Sequence, residues 1–412
     1  MPSLGGPSPL VGAMIADMRL QPTTLVGIVF SMVGGVVLGV SSFWALDEWL
    51  GIGSEHRLLM SVVDHVDRNY VTDVSREKLM HDAIAGMMRG LDGHSMFLRE
   101  DRFDDLHEDT TGRFGGIGIE IALTDGFFTV VSPIADTPAA RAGVAAGDRV
   151  IELDHASLKG RTLRDIVASM RGRPGTEVHI RVRRPGEEEP IDFELVRAVI
   201  ATNSVRARPL EPGFGYVRIS RFQDTTEDDL AEALASLAAE PQGLSGLVVD
   251  LRDNPGGVLG VAVDVADAFL DRGLIVYTES RVASNELSLE AEEGDLLDGA
   301  PMAVLINGQS ASGAEIVAGA LQDHGRALVV GVRSYGKGSV QSVLSLKNRR
   351  AIKLTTAHYY TPSGRAIQSS GIEPDIEVKP AAGMGRTEYA DLLIQTALQA
   401  LQDGGAGPKA GA

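Results

Sequence analysis

The sequence contains no cysteine and is short of positive charge. The absence of cysteine from its 412 residues excludes disulfide bonds, thiolate metal sites and a cysteine nucleophile. Lys and Arg number 38 against 56 Asp and Glu, which gives a formal net charge of −18. So acidic a chain repels phosphate backbones, and nucleic acid is not expected as a partner. Glycine, by contrast, is abundant at 48 residues and predicts many tight turns.

One stretch near the N-terminus lacks charge altogether. No charged residue occurs between Arg19 and Asp47. About 20 apolar residues are enough to span the hydrocarbon core of a bilayer. We therefore expect a single N-terminal transmembrane helix over residues 23–46, after a tail of residues 1–22. A cleavable signal sequence is the competing interpretation, and both place the rest of the chain outside the cytoplasm.

Hydrophobic periodicity predicts an α/β protein with several segments. Apolar residues recur at helical spacing first, then at a period of two, and from residue 213 short strands alternate with helices. The C-terminal helix could pack either on its own core or on another subunit. The expected segments are a helical segment (50–110), a β-rich domain (111–200), a βα core (201–380), a C-terminal helix (381–402) and a disordered tail (403–412).

The β-rich domain opens with a glycine-rich loop. The loop consists of Phe114, Gly115, Gly116, Ile117, Gly118 and Ile119. Thr162 is expected to cap a helix that runs to Arg171 and forms the other wall of a groove. This combination resembles a PDZ domain of the permuted kind found in bacterial proteases. The resemblance implies that backbone N–H groups of the loop bind the C-terminal carboxylate of a peptide, which adds as a strand.

Ser312 lies at a predicted turn between a strand and a helix. Exposed N–H groups at a helix N-terminus favour developing negative charge, as a nucleophile requires. Residues 312–315 (SGAE) also match a capping box, in which serine and glutamate serve only the helix end. Both interpretations stay open at this point.

The loop at residues 331–341 (GVRSYGKGSVQ) nearly matches a phosphate-binding loop. Gly338 stands where that motif needs a hydroxyl, and a strand is predicted to follow instead of a helix, so nucleotide binding is excluded. A lysine in an apolar site can lose up to ~3–5 pKa units and act as a neutral base. Lys337 could serve Ser312 in this way, since Ser–Lys pairs are known acyl-transfer centres. A solvated loop cation is the alternative.

Several separate blocks together resemble the C-terminal processing proteases, also called tail-specific serine peptidases. The resemblance covers about residues 55–380. In that family the nucleophile precedes the lysine by 25 residues and a glutamine follows the lysine by four, as Ser312, Lys337 and Gln341 do here. Gly93 and Gly313 depart from the proline and alanine usual at these positions. The blocks are residues 91–95 (LDGHS), 250–257 (DLRDNPGG), 310–323 (SASGAEIVAGALQD) and 335–341 (YGKGSVQ).

The resemblance implies a serine endopeptidase built on a crotonase- or Clp-protease-like βα core with an inserted PDZ domain. It implies that Ser312 is the nucleophile, Lys337 the base and Gln341 the group that positions the lysine. The oxyanion hole would be formed by the N–H groups of Gly257, with Gly256 as the alternative, and of Gly313. No cofactor and no metal are implied.

The resemblance also implies partners and a location. Substrates would be proteins or peptides with apolar C-termini, and Arg171 or Arg173 would link occupancy of the PDZ domain to the catalytic loops. We further expect a homo-oligomer and an adaptor protein. The chain would be attached to a bacterial inner membrane through residues 23–46, with the catalytic part in the periplasm or exported. An inactive PDZ scaffold and a crotonase-type acyl-thioester enzyme remain the alternative functions.

Overall fold

In the computed structural model, residues 52–404 are described. They form nine α-helices, one short 3-10 helix (Ala283–Asn285) and nineteen strands. The helices are α1 (Ile52–Asn69), α2 (Arg76–Arg89), α3 (Glu100–Thr111), α4 (Pro138–Ala142), α5 (Leu163–Met170), α6 (Thr226–Ala238), α7 (Leu259–Asp267), α8 (Gly313–Asp323) and α9 (Arg386–Gln402). The strands are β1 (Met96–Leu98), β2 (Arg113–Gly116), β3 (Ile119–Thr124), β4 (Phe127–Pro133), β5 (Arg149–Leu153), β6 (Ala156–Ser157), β7 (Glu177–Arg183), β8 (Ile191–Val196), β9 (Ala198–Ala201), β10 (Val205–Glu211), β11 (Phe214–Ile219), β12 (Gly246–Asp250), β13 (Gly273–Glu279), β14 (Ser288–Ala291), β15 (Met302–Ile306), β16 (Ala327–Gly331), β17 (Ser339–Leu346), β18 (Arg350–Tyr360) and β19 (Ile376–Glu377).

The chain divides into two compact units. The first ends at Gly90 and contains α1 and α2. The hydroxyl of Ser75 caps α2 by accepting a hydrogen bond of 3.2 Å from the N–H of Lys78. The second unit begins at Leu91 and contains every remaining described element.

A largely parallel sheet forms the centre of the second unit. Its strand order is β10-β11-β12-β15-β16-β19, and only β10 runs antiparallel to its neighbour. Every residue of β12 and β15 is buried, because helices cover both faces of the sheet. Val249 packs into the core formed with α6, α7 and α8, whereas Val248 packs against α9. The C-terminal helix therefore packs on the core of its own chain.

A second, antiparallel sheet lies beside α8. Its order is β1-β18-β13-β14, with β17 also paired to β18. Helix α8 contacts β16 of the central sheet and β13 of this one. The pairing of β17 with β18 sets Gln341 opposite Thr355.

The β-rich domain is an antiparallel sheet in the order β3-β4-β5-β7-β8, with β6 beside β5. Its core includes Ile117, Ile166 and Ile180. Thr162 and Asp165 form a complete capping box at the start of α5, as the sequence predicted. Buried Arg197 donates hydrogen bonds to the carbonyl of Ser169 at 2.8 Å and to that of Met170 at 3.1 Å, which closes the other end of α5. A ribbon of β2 and β9 leads into and out of the domain.

The predicted fold class needs one correction. The chain has the expected α/β fold with an inserted β-rich domain, but the N-terminal transmembrane helix is not supported. No helix within residues 52–404 is long and apolar enough to span a bilayer. The stretch on which the expectation rested, residues 23–46, lies outside the described residues. Its lack of charge alone cannot establish a membrane-spanning helix.

Candidate active site

Ser312 is the residue with the most unusual backbone at this site. Its φ of +56° and ψ of −115° lie in a region that side-chain-bearing residues rarely adopt, and such strain is a reason to suspect function. At the start of α8 the N–H groups of Glu315 and Ile316 donate to the backbone carbonyl of Ser312, at 2.9 and 3.0 Å, and not to its hydroxyl. Ser310, by contrast, is fully buried, and its hydroxyl donates to the carbonyl of Leu251 at 2.8 Å. Ser310 is therefore structural, and the Ser312 hydroxyl is free of the helix cap.

Glu315 connects the Ser312 turn to the loop that carries Lys337. Its side chain is fully buried, and the carboxylate accepts four hydrogen bonds. The backbone N–H groups of Ser312 and Lys337 donate to one oxygen at 2.9 and 2.8 Å. The hydroxyl of Ser334 and the N–H of Gly336 donate to the other at 2.5 and 2.6 Å. A buried carboxylate needs donors of this kind, and here they come from two separate loops. The capping-box interpretation accounts for only one of these four bonds.

Lys337 lies with Ser312 in the wall of one cavity of about 450 Å³. Burial lowers the pKa of Lys337 below its usual 10.5, the charge of Lys353 lowers it further, and Glu315 opposes both. Lys353 lines the same cavity, and burial lowers its pKa as well. The surroundings of Lys337 therefore favour its neutral form more than water does. Apolar residues that line the cavity are Leu106, Val258, Leu259, Val340 and Val343.

Gln341 lines the same cavity and is held from one side. Its Nε2 donates to the hydroxyl of Thr355 at 2.9 Å and to that of Ser339 at 3.1 Å. Its Oε1 is buried and accepts no hydrogen bond from the part of the chain that the structure describes. A buried acceptor without a donor is costly, so this oxygen is available to a donor in the cavity.

The loop after β12 brings Gly257 beside the Ser312 turn. Buried Asn254 holds this loop, since its Oδ1 accepts from the N–H of Gly256 at 2.8 Å and its backbone carbonyl accepts from that of Ala311 at 2.9 Å. The N–H of Gly256 is thus occupied. Those of Gly257 and Gly313 donate to no acceptor among residues 52–404. A Cβ on Gly257 would lie 2.0 Å from the carbonyl oxygen of Phe222, so only glycine allows this approach.

A buried ion cluster fixes the start of the same loop. The fully buried carboxylate of Asp250 accepts hydrogen bonds from Tyr216 at 2.5 Å, from Arg218 at 3.1 Å and from Arg252 at 2.6 Å. Our sequence reasoning missed this cluster and the role of Asn254. The available signal was the charged pair of Asp250, which ends an otherwise apolar strand, and Arg252, which follows it.

The PDZ loop forms a second, smaller cavity of about 110 Å³. Gly115 does not line it but accepts a hydrogen bond of 3.0 Å from the N–H of Gly172. The predicted residues that line it are Phe114, Gly116, Ile117, Gly118, Ile119 and Arg171. Arg173 is exposed and does not line it.

Arg171 also contacts helix α3. Its guanidinium carbon lies 4.6 Å from the ring centre of Phe114, and the group pairs with Glu108 at 2.6 Å. The next residue of α3, Asp109, pairs with Arg221 at 3.2 Å, and both Asp109 and Arg221 line the cavity of Ser312. Helix α3 thus has ion pairs to both cavities.

Comparisons with known proteins point to one family. Residues 213–378 match peptidase family S41, and residues 115–195 match the PDZ domain. The carboxy-terminal-processing protease of Bartonella bacilliformis is 45% identical over 320 residues, which are 77% of this chain and 74% of that protein. The carboxyl-terminal-processing protease of Synechocystis is 36% identical over 333 residues, 79% of this chain and 77% of that protein.

One solved structure has a fold similar to that of this chain. It is described as an S41 protease from Bacteroides fragilis, superposes with a TM-score of 0.51, and is 17% identical. The alignment covers 81% of this chain and 91% of that one.

The packing around Gly313 generates a stability prediction. A Cβ at this position would lie 2.9 Å from the side chains of both Ala262 and Phe222, and Phe222 is fully buried. We expect Gly313→Ala to destabilise the protein by about 1–3 kcal/mol, although alanine favours helices. Gly260→Ala is the matched control, because nothing lies within 4 Å of its Cβ. Thermal unfolding that shows Gly313→Ala to be as stable as Gly260→Ala would contradict this packing argument.

Proposed function

Because this chain belongs to peptidase family S41 and is a serine-type peptidase related to the carboxy-terminal-processing proteases, we propose that Ser312 is its nucleophile and Lys337 its general base. The observation that carries the proposal is the shared cavity wall. It combines a strained serine whose hydroxyl is free of the helix cap with a lysine whose pKa is lowered by burial. The Glu315 carboxylate ties the two loops together.

The proposed reaction is acyl transfer in two steps. Neutral Lys337 takes the proton of the Ser312 hydroxyl while the oxygen attacks the carbonyl carbon of the scissile peptide bond. The protonated lysine then gives its proton to the leaving amine. The acyl group remains on the Ser312 oxygen as an acyl-enzyme. Water attacks the ester with Lys337 again as base, and this releases the carboxylate product and restores Ser312.

The negative charge of the tetrahedral intermediate is stabilised by backbone N–H groups. Those of Gly257 and Gly313 are the two candidates, since neither donates elsewhere among residues 52–404 and both adjoin the Ser312 turn. The N-terminus of the eleven-residue helix α8 adds its positive dipole end at the same place. Removal of one such donor typically slows turnover about 10²–10³-fold.

Substrate selection is assigned to the PDZ groove. Strand β3 lies at the edge of its sheet, so an extended peptide can pair with it. The groove is apolar at Ile119, Ile121 and Val167, which suits an apolar C-terminal side chain. A terminal carboxylate would meet the loop N–H groups at Ile117 and Gly118.

We assign to Arg171 the link between the groove and the cavity of Ser312. A carboxylate in the groove competes with Glu108 for the Arg171 guanidinium. Loss of the Glu108 pair removes one of the contacts that hold helix α3, whose Leu106 and Asp109 line the catalytic cavity. Because Arg173 does not line the groove, Arg171 is the favoured residue of the two.

The peptidase assignment is tested with an unfolded protein substrate that ends in apolar residues. We expect the wild type to produce fragments and Ser312→Ala to lower their rate of formation by roughly 10⁴–10⁶-fold. Ser345→Ala, which alters an exposed serine on β17, is the control and should cleave as the wild type does. If Ser312→Ala formed fragments as fast as the wild type, the assignment of Ser312 as the nucleophile would be contradicted. Acyl-thioester turnover without proteolysis would instead support a crotonase-type enzyme.

The Arg171 link is tested by stimulation with an added peptide. A free peptide with an apolar C-terminus should accelerate cleavage of a second substrate, and its C-terminal amide should not. Arg171→Ala is expected to reduce this stimulation about 5- to 50-fold, because the coupling between the two cavities is lost. Arg173→Ala is the matched control and should keep the stimulation. Equal stimulation of Arg171→Ala and wild type would remove Arg171 from the account.

A further inference from the structure

A chain of hydrogen bonds reaches Gln341 from the loop before β1. The carboxylate of Asp92 accepts hydrogen bonds from the N–H of Ser95 at 2.6 Å and from its hydroxyl at 2.8 Å. The Ser95 oxygen in turn accepts from the N–H of Thr355 at 3.1 Å. The hydroxyl of Thr355 accepts from Nε2 of Gln341 at 2.9 Å. Ser95 is only 4% exposed, so these bonds are largely shielded from water.

Sheet register brings these distant residues together. Met96 pairs with Lys353 where β1 meets β18, which sets the loop of Asp92 and Ser95 beside Thr355. On the other side of β18, Gln341 of β17 pairs with Thr355. Thr355 therefore lies between the Asp92 loop and Gln341.

The charge of Asp92 determines which groups donate and which accept in this series of hydrogen bonds. Burial would raise the pKa of Asp92, but hydrogen bonds from Ser95, from the N–H of His94 and from Thr355 outweigh it and lower the pKa to about 2. An ionised carboxylate only accepts hydrogen bonds, so the hydroxyl hydrogen of Ser95 is directed to Asp92 at 2.8 Å, with the hydroxyl oxygen of Thr355 as a second, longer acceptor at 3.4 Å. The oxygen of Thr355 is then an acceptor toward Gln341.

This direction decides which end of the Gln341 amide enters the cavity. The amide group must place its NH₂ on Thr355 and Ser339, and its Oε1 on the opposite side. That oxygen is buried and has no donor among residues 52–404. Lys337, which lines the same cavity, carries N–H groups in either protonation state and can supply the donor.

We propose that Asp92 and Thr355 are positioning residues that fix the Gln341 amide with its carbonyl oxygen toward Lys337. The inference rests on the proposed Ser312–Lys337 centre and adds to it a source of orientation outside the catalytic loops. Without the Thr355 acceptor, the amide can turn end for end and present its NH₂ to Lys337. Two donors would then face each other, and the lysine would lose the group that holds it toward Ser312.

The test measures how fast a fluorophosphonate probe phosphonylates Ser312, with loss of fluoride, in the full-length protein. This readout reports activation of the nucleophile without dependence on the PDZ groove. Thr355→Val keeps the shape and removes the hydroxyl, and it should slow phosphonylation roughly 10-fold. Thr355→Ser keeps the hydroxyl and should restore most of the rate. Thr356→Val is the matched control, because that hydroxyl bonds to Ser342 and not to Gln341, and it should react as the wild type does.

A double-mutant cycle separates positioning from general structural damage. If Thr355 acts through Gln341, then Thr355→Val should cause no further loss in the Gln341→Ala background. Asp92→Asn provides the same comparison if Thr355→Val does not fold. Any of three results would overturn the inference. The loss of labelling rate in Thr355→Val could add fully to that in Gln341→Ala, the rate of Thr355→Val could equal that of the wild type, or Thr356→Val could lose as much rate as Thr355→Val. Failure of the proposed function looks different, because the wild type would then not be labelled at Ser312 at all.

Discussion

The buried carboxylate of Glu315 is the interaction on which the candidate centre depends. Its charge lies out of water and is stabilised only because four donors from the Ser312 turn and the Lys337 loop converge on it. The carboxylate binds the backbone of Lys337 and not its ammonium group. The lysine side chain therefore enters the cavity without a close ion pair, and burial prevails over the more distant attraction of Glu315 in setting its pKa. A direct carboxylate–ammonium pair would instead favour the charged lysine, which cannot act as a base.

The parallel sheet explains why the remaining parts of the centre meet at this point. Strands β12 and β15 are neighbours, and the loops that follow them carry Gly257 and Ser312 respectively. Such loops lie at the same edge of a parallel sheet, which is where open α/β folds place their sites. Asn254 and the Asp250 cluster then hold the loop after β12, and the bond from the N–H of Ala311 to the Asn254 carbonyl ties it to the Ser312 turn. The antiparallel sheet adds Gln341 and Thr355 from a different direction.

Local sequence patterns predicted the regular elements of the core well and the polar contacts poorly. The alternation of short strands and helices from residue 213 and the turn between strand and helix at Ser312 were correct, because the buried strands are continuous apolar segments. The strand after Lys337 correctly excluded a phosphate-binding loop. Helix α3 lies almost wholly within the expected helical segment 50–110, although it has few apolar residues and no spaced apolar face. The bonds of Glu315 looked like a local cap, and the Ser95–Thr355 contact joins residues 260 positions apart, so neither was visible to a local pattern. The transmembrane helix was inferred from composition alone, and no described helix supports it.

The central claim is that Lys337 acts as a neutral base, and its titration tests this directly. Protein labelled with ¹³C at lysine Cε gives one NMR resonance per lysine, and comparison with Lys337→Met assigns the one that belongs to Lys337. Because burial disfavours the charged form, the account predicts a titration midpoint below the ordinary 10.5. The lysine is then charged below that midpoint and able to accept the Ser312 proton above it. A midpoint at or above 10.5 would contradict the account.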